Sequence, residues 1–455
     1  MSRRGARRCR RDRGNGARSA RPSLARRAAR VGRFRSSRRV VRYPPNDGTL
    51  PRHSCPHLRA WWLVPPDAPR VLLVIGAYHP EISAAGIQAR AVASALAGRA
   101  TFSVLATAVD PTLPPRDLVD GVPVYRARVD VRRRASRAAA SIRVAAQFAA
   151  ARDRFDLVHI HGISRKNVPV TTLARLFGKR ILLHLHTAGQ DEPAEAGRAG
   201  VLGAWSFRQA ELVLPVSPLL MDRCLASGVD RSRLRYAPNG VDPQRFAPPD
   251  EGARAALRAE LGWPLDARVT LFVGFFSRDK RPDAVFRAWC REAARDPRAV
   301  LVFVGATVPK YYEIDGALFD RIRSGAAAAG LSGRVIFADT TTAIERFFAA
   351  ADVFALPSVR EAMPLALLEA MSSGLACVAS RLERSTDVLI QDGVNGRLVP
   401  PDDEDAWANA LAELTSDCRR ARELGRCARA TVVDRFTVER SSRVWLDAYR
   451  ELMDP

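Results

Sequence analysis

The chain has 455 residues, and 47% of them are apolar, enough for two or three domains with sizeable cores. Its formal charge of +24 is uneven: residues 1–70 hold 20 Arg, no Lys and 3 Asp, whereas the other 385 hold 52 basic and 45 acidic side chains. The N-terminal stretch lacks the apolar segment of a secretory signal, and no apolar run reaches the ~18 residues a membrane span needs. The seven cysteines form no CxxC pair and no Cys/His cluster, which argues against a zinc site and fits free thiols in a reducing cytoplasm.

In chain order, residues 1–68 form a basic extension without helical or strand periodicity, and they read as disordered because like charges repel. Two readings stand for this extension. Either the start codon is placed too far upstream in an Arg-rich frame, or the extension is an arm for nucleic acid or an anionic membrane. From Val71 the pattern changes. Short Val/Ile/Leu-rich runs (VLLVIGA, TFSVLAT, DLVHIHG, RILLHLHT, ELVLPVS) alternate with helical stretches, as in βαβ units whose parallel strands are buried on both faces. The Pro- and Asn-Gly-rich APNGVDPQRFAPPDEG, residues 237–252, interrupts them, and VTLFVGFF, AVLVFVGA, RVIFAD, DVFALPS and LACVAS restart the alternation. The expected architecture is α/β, with two doubly wound Rossmann-like domains, 69–245 and 246–432, facing across a cleft. Residues 433–455 form an amphipathic helix by the spacing of Val444, Trp445, Ala448 and Leu452, expected to pack back towards the first domain. In such sheets ligands collect at the carboxyl ends of the strands.

The stretch REAMPLALLEAMSSG, residues 360–374, places two carboxylates, Glu361 and Glu369, around seven uncharged residues. Pro364 suits the first turn of a helix that Gly374 stops, and the free N–H groups of that turn suit a phosphate. At about 100° per residue, Glu369, Ser372 and Ser373 share a narrow polar strip opposite Leu367, Leu368 and Met371. The strip is either solvated or turned to a cleft, where a carboxylate accepts hydroxyl hydrogen bonds from a ribose or sugar.

The segment SVREAMPLALLEAMSSGLACVAS resembles the E-x7-E motif of retaining glycosyltransferase family 4. AELVLPVSPLLMDRCLASGVDRSRLRYAPNGVDPQRF is similar to that family's inter-domain stretch, VGFFSRDKRPD to its glycine-to-lysine phosphate loop, and RVIFADTTTAIERFFAAADVFALPS and LIQDGVNGRLVPPDD to its later pattern. The resemblance implies the GT-B fold, with an acceptor bound by the first domain and a nucleotide diphosphate-sugar by the second. It implies that Glu369 holds the ribose hydroxyls, that Glu361 contacts the transferred sugar, and that the backbone at Met363, Pro364 and Leu365 approaches the diphosphate or sugar. Lys280 matches the lysine that neutralises the departing diphosphate. Phe275 stands where the family usually carries Arg, so Arg278 or Arg281 is expected to substitute. Gly86 occupies the place of the family's second loop glycine and reads equally as a phosphate approach or a helix-start turn.

Four histidines end two strands, His159 and His161 on one and His184 and His186 on the next. His186 matches the family histidine on the acceptor side, and His161 is a second candidate there. Four imidazoles together suggest metal ligands, but the lack of nearby Cys and the metal-independent family argue for none. Asn239 and Gly240 read as structural. Residues 126–154, with nine Arg and two Asp around Ile142, Val144 and Phe148, read as a solvated helix face or as a basic amphipathic face for an anionic membrane.

The resulting expectation is a retaining, hexosyltransferase-type glycosyltransferase. It uses no cofactor or metal, only a nucleotide-sugar donor, and takes a glycan, lipid-linked or small-molecule acceptor. It would serve bacterial cell-envelope or polysaccharide biosynthesis, in the cytoplasm or peripherally at the inner face of the membrane. The alternatives are a GT-B nucleotide-sugar epimerase or hydrolase, and a nucleic-acid-binding protein acting through the Arg-rich extension, which rests on residues 1–70 alone.

Overall fold

A computed structural model describes residues 65, 67–164, 166–198, 200–305 and 314–454, all in one compact unit spanning residues 55–455. The basic extension, the two readings of it, and Cys9 and Cys55 lie outside the described residues. The five described cysteines, Cys224, Cys290, Cys377, Cys418 and Cys427, are free thiols.

The first half is a seven-stranded sheet made of β1 (Arg70–Ile75), β2 (Thr101–Ala108), β3 (Arg116–Val119), β4 (Val122–Arg128), β5 (Leu157–His161), β6 (Arg180–Leu185) and β7 (Leu212–Pro215). Its order is β3-β4-β2-β1-β5-β6-β7, parallel except where β3 pairs antiparallel with β4. The second half holds β8 (Arg268–Val273), β9 (Ala299–Val304), β10 (Val335–Ala338), β11 (Val353–Leu356), β12 (Ala376–Ser380) and β13 (Arg397–Val399). All six are parallel, in the order β10-β9-β8-β11-β12-β13. These are the two Rossmann-like layers expected from the alternation of apolar runs. The order of strands reverses beside β1 in one sheet and beside β8 in the other, and the loops after β1, β5, β8 and β11 therefore border the crevices where such folds bind ligands.

The central strands are apolar on both sides because helices cover both faces. On β5, Val158 and Ile160 join the core under the helices Arg134–Ala151 and Asn167–Leu176, while Leu157 joins the opposite core. That opposite core is completed by the C-terminal helix Val438–Met453, whose Trp445, Ala448, Tyr449 and Leu452 are buried against Val71, Leu73 and Leu182 of the first sheet. Val444 is only partly buried there. Trp445 is fully buried, and truncating a side chain of that kind costs roughly 3–5 kcal/mol. The Asn239–Gly240 turn lies under this helix: a Cβ on Gly240 would meet the Thr437 carbonyl oxygen at 2.4 Å, so glycine is required by close approach.

The segment around Ile142 departs from a simple amphipathic face. Val144 and Phe148 turn into the core, but Ile142 is 70% exposed among the arginines of the helix Arg134–Ala151.

Candidate functional site

A cavity of about 550 Å³ lies between the two halves, bordered by the loops that follow β1, β5, β6, β8 and β11. On its second-half side the two-carboxylate motif takes shape. β11 ends at Leu356, the loop carries Arg360 and Glu361, and the helix Leu365–Ser372 follows. Pro364 is the residue before the first helical turn rather than within it (φ −68°, ψ 113°), and no side chain caps the helix. Its first turn therefore presents uncapped backbone N–H groups to the cavity, which Met363, Pro364, Leu365 and Ala366 line. Asn239, expected to be merely structural, fixes this loop by donating from Nδ2 to the Met363 carbonyl oxygen at 2.9 Å.

The polar strip of this helix is not solvated. Ser372 and Ser373 are buried, Ser372 Oγ donates to the Phe246 carbonyl oxygen at 2.9 Å, and Glu369 is 6% exposed and lines the cavity. Burial pushes the Glu369 carboxyl up to about 8, partly offset by the Arg245 charge. Among the described residues nothing hydrogen-bonds to that carboxyl, so it is an acceptor held in reserve at the cavity wall.

Glu361 is paired. Lys280 Nζ donates to its Oε1 at 2.6 Å, and the Glu361 side chain is only 8% exposed. Lys280 comes from the loop after β8, where Gly274 lies tightly under Gly305: a Cβ on Gly305 would sit 1.9 Å from the Gly274 carbonyl oxygen. The two expected substitutes for the missing Arg do not reach the cavity. Arg278 is 88% exposed and faces Asp315, and Arg281 points away to Asp402 and to the Pro401 carbonyl oxygen. The sequence position was right for the loop, but the direction of each side chain follows from its backbone turn. The second cation in the cavity is Arg360, which sequence reasoning missed although it directly precedes Glu361. Its guanidinium bonds Asp279 and donates to the Ala188 carbonyl oxygen of the first half at 3.1 Å. Gly189, at φ +73°, lies beneath it, where a Cβ would come within 3.0 Å of Arg360 Nη1.

On the first-half side, Ala84 and Ala85 at the start of the helix Ala84–Ala95 line the cavity, but Gly86 does not. The Gly86 amide already donates to Ser83 Oγ at 3.0 Å, and a Cβ there would meet the Ala77 carbonyl oxygen at 2.5 Å. These contacts fit the helix-start turn, one of the two readings of this residue.

His161 and His186 do line the cavity, bonded to each other Nδ1 to Nε2 at 2.9 Å. His159 and His184 lie behind them, 3.2 Å apart, and the Tyr449 hydroxyl is 2.8 Å from His159 Nδ1. Burial lowers all four imidazoles, His186 to about 3, so they are neutral at pH 7. Nitrogens of His159, His161 and His184 come within 4.8 Å of one another, yet the rings are stacked nearly parallel, with interplanar angles of 5–28°. Ring lone pairs lie in the ring planes, so parallel rings do not aim them at one point as a tetrahedral metal requires. Behind His186, Asp191 accepts the amides of Ile163, His186 and Thr187 at 2.7–3.0 Å and ties the two loops of this wall together. Burial raises its carboxyl against the pull of those amides. Asp191 was also missed. Its signal is a lone acid a few residues beyond a strand end, which is common in loops.

The fold and the cavity define a two-domain α/β protein of the GT-B kind, with Lys280 paired to Glu361 and with Arg360, Glu369 and an uncapped helix start on the same cavity wall. A family profile described as "Glycosyl transferases group 1" matches residues 253–431, and one described as "Glycosyl transferase 4-like domain" matches 83–240. Each half of the chain thus matches a glycosyltransferase family profile, the second half that of the group 1 glycosyltransferases. The chain is 35% identical over 226 residues to the D-inositol 3-phosphate glycosyltransferase of Saccharomonospora viridis, covering 48% of this chain and 50% of that one. It is 32% identical over 292 residues to the protein of that name from Stackebrandtia nassauensis, covering 59% and 62%. The chain thus spans about half to three-fifths of the length of these curated relatives. Among solved structures, Anabaena HepE in complex with UDP and glucose superposes with a TM-score of 0.70 at 18% identity, covering 84% of this chain and all of that one. Sucrose-phosphate synthase from Thermosynechococcus elongatus superposes with a TM-score of 0.70 at 22% identity, covering 84% and 99%.

Proposed function

We propose that the protein transfers a hexose from a nucleoside diphosphate-sugar to an acceptor hydroxyl with retention of configuration. The observation that carries this reading is the Lys280–Glu361 pair at 2.6 Å, set beside an uncapped helix start in the same cavity as the unbonded Glu369 carboxyl. Glu369 accepts the two ribose hydroxyls, and Glu361 accepts hydroxyls of the sugar. Lys280, released from its exclusive pairing with Glu361, and the amides at Leu365 and Ala366 hold the diphosphate. Arg360 supplies the second positive charge that Phe275 does not. The neutral His161 and His186, bonded to each other, form the acceptor wall without importing charge.

In the transfer itself, the bond from the anomeric carbon to the diphosphate oxygen breaks, and its electron pair stays on the diphosphate. The acceptor oxygen forms the new bond from the same face, and its proton passes to an oxygen of the leaving phosphate. The fixed positive groups act where charge grows during this step, which is how such groups lower a barrier. Because protein groups meet that charge, turnover is expected to persist in a chelator. The reaction would run in the cytoplasm or at the inner face of the membrane. Among the described residues no helix is long and apolar enough to cross a membrane.

Isomerisation and hydrolysis need no acceptor, so dependence on an acceptor separates them from transfer. The test is nucleotide-sugar turnover with and without a panel of acceptors, with UDP-glucose as the first donor because UDP-bound neighbours share the fold. Acceptor-dependent release of UDP with an α-linked product supports transfer. Epimerised or free sugar formed equally without acceptor refutes it.

A further inference from the structure

A second cavity, of about 640 Å³, lies wholly within the first half, and nothing in the motif accounts for it. It sits on the face of the sheet opposite the histidines, because side chains alternate along a strand: His159, His161 and His184 face one way, Ile160, Ile181 and Leu183 the other. Its walls are those three residues, Val168 of the helix Asn167–Leu176, and Leu202 and Phe207 of the helix Val201–Arg208.

The polar groups on its wall are already engaged. Thr171 Oγ1 and Ser206 Oγ bond each other at 2.9 Å, and Asn167 Nδ2 donates to the Gly162 carbonyl oxygen at 2.8 Å. Among the described lining residues there is no Lys or Arg, and the one acid, Glu195, is paired with Arg198. A lining of this kind suits an apolar group. The cavity's volume is that of an ordinary small-molecule site, ~300–1,000 Å³.

Two further features orient it. Gln190 lines both this cavity and the cleft, so the loop carrying Asp191 is their shared wall. At the other end, Leu202 lines the cavity yet is 65% exposed, and the neighbouring Val201 is 82% exposed. Apolar side chains left in water at the mouth of an apolar chamber mark an entrance for apolar matter.

We propose that this cavity is an acceptor subsite: it takes the alkyl chain of an amphiphilic acceptor whose hydroxyl enters the cleft past Gln190. This rests on the transfer reading above and narrows the acceptor class to molecules with one polar, glycosylatable end and one alkyl end.

The experiment titrates the full-length protein, saturated with UDP, with methyl, butyl, hexyl and octyl β-glucosides below their micelle concentrations. Each added methylene is expected to tighten binding by about fourfold until the chamber is filled. Val168→Trp fills the chamber, and Leu202→Asp places a charge at its mouth on an exposed position that does not risk the fold. Either variant is expected to weaken octyl glucoside at least tenfold relative to the parent while leaving UDP affinity within about twofold. Equal binding of methyl and octyl glucosides by the parent overturns the proposal, and so does a chain-length dependence that survives in both variants. The UDP titration reads the donor site separately, so failure of the transfer reading and failure of the alkyl subsite are distinguishable.

Discussion

If the cavity binds the nucleotide as proposed, the buried Glu369 carboxyl makes that binding sensitive to pH in a way that one substitution isolates. With the group raised to about 8 by burial, most empty sites carry it protonated at pH 6.5. A ribose diol donates two hydrogen bonds, which favour the carboxylate over the acid. If binding returns the group to its ordinary value of 4.5, close to one proton leaves per UDP bound at pH 6.5. Affinity then rises roughly tenfold per pH unit up to about pH 8 and levels off above it. In Glu369→Gln there is no proton to release, so this slope disappears, and above pH 8 the loss of a charged hydrogen bond weakens UDP by about ten- to a hundredfold. Gln keeps the size and one acceptor oxygen, so the buried helix stays packed. Isothermal titration between pH 6 and 8.5, in phosphate and in Tris, counts the released proton because the two buffers differ in ionisation enthalpy. UDP's own phosphate ionisation is common to both proteins and cancels in the comparison. A Gln variant with the parent's affinity, slope and proton count would place the ribose elsewhere and refute the reasoning.

Three other outcomes are expected. Lys280→Ala should lower turnover on the order of a hundredfold, whereas Glu361→Gln should cut transfer but leave UDP affinity within about twofold; equal UDP affinities and equal turnover in both variants would show that the pair is only structural. Arg360→Ala should weaken UDP by about tenfold, as for loss of a charge-assisted hydrogen bond, while Arg278→Ala and Arg281→Ala should not, since both side chains face away from the cavity; a loss with Arg281→Ala in UDP titrations would overturn the assignment. Burial holds the four strand-end histidines below their ordinary value, so the unfolded chain gains protons below pH 6.5 that the folded chain refuses, and stability should fall as pH drops from 6.5 towards 5. Scanning calorimetry of the Glu369→Gln variant checks this, because Glu369 itself acts in the opposite sense over that range, and an unchanged Tm between pH 7 and 5 would contradict it.

The alternation of apolar runs and the carboxylate pair are legible in the amino-acid sequence because both are local. A strand buried on two faces is mostly apolar along its length, and Glu361 and Glu369 flank the start of one short helix. Local pattern could also place Lys280 and Glu361 in loops at strand ends, but their contact joins residues far apart in sequence and exists only because β8 and β11 are neighbours in the sheet. Whether the strip of Glu369, Ser372 and Ser373 met water or protein was equally undecided by spacing; the packing of Ser372 against Phe246 of the linker buries it. Side-chain direction lay further beyond reach. Arg278, Lys280 and Arg281 occupy one short loop, yet only Lys280 enters the cavity, since a loop residue's direction follows backbone turns that have no repeating period. The histidines show the same division. Their position at two strand ends follows from the sequence, while their stacking, their neutrality and their link to Tyr449 of the C-terminal helix come from burying two strands and that distant helix together.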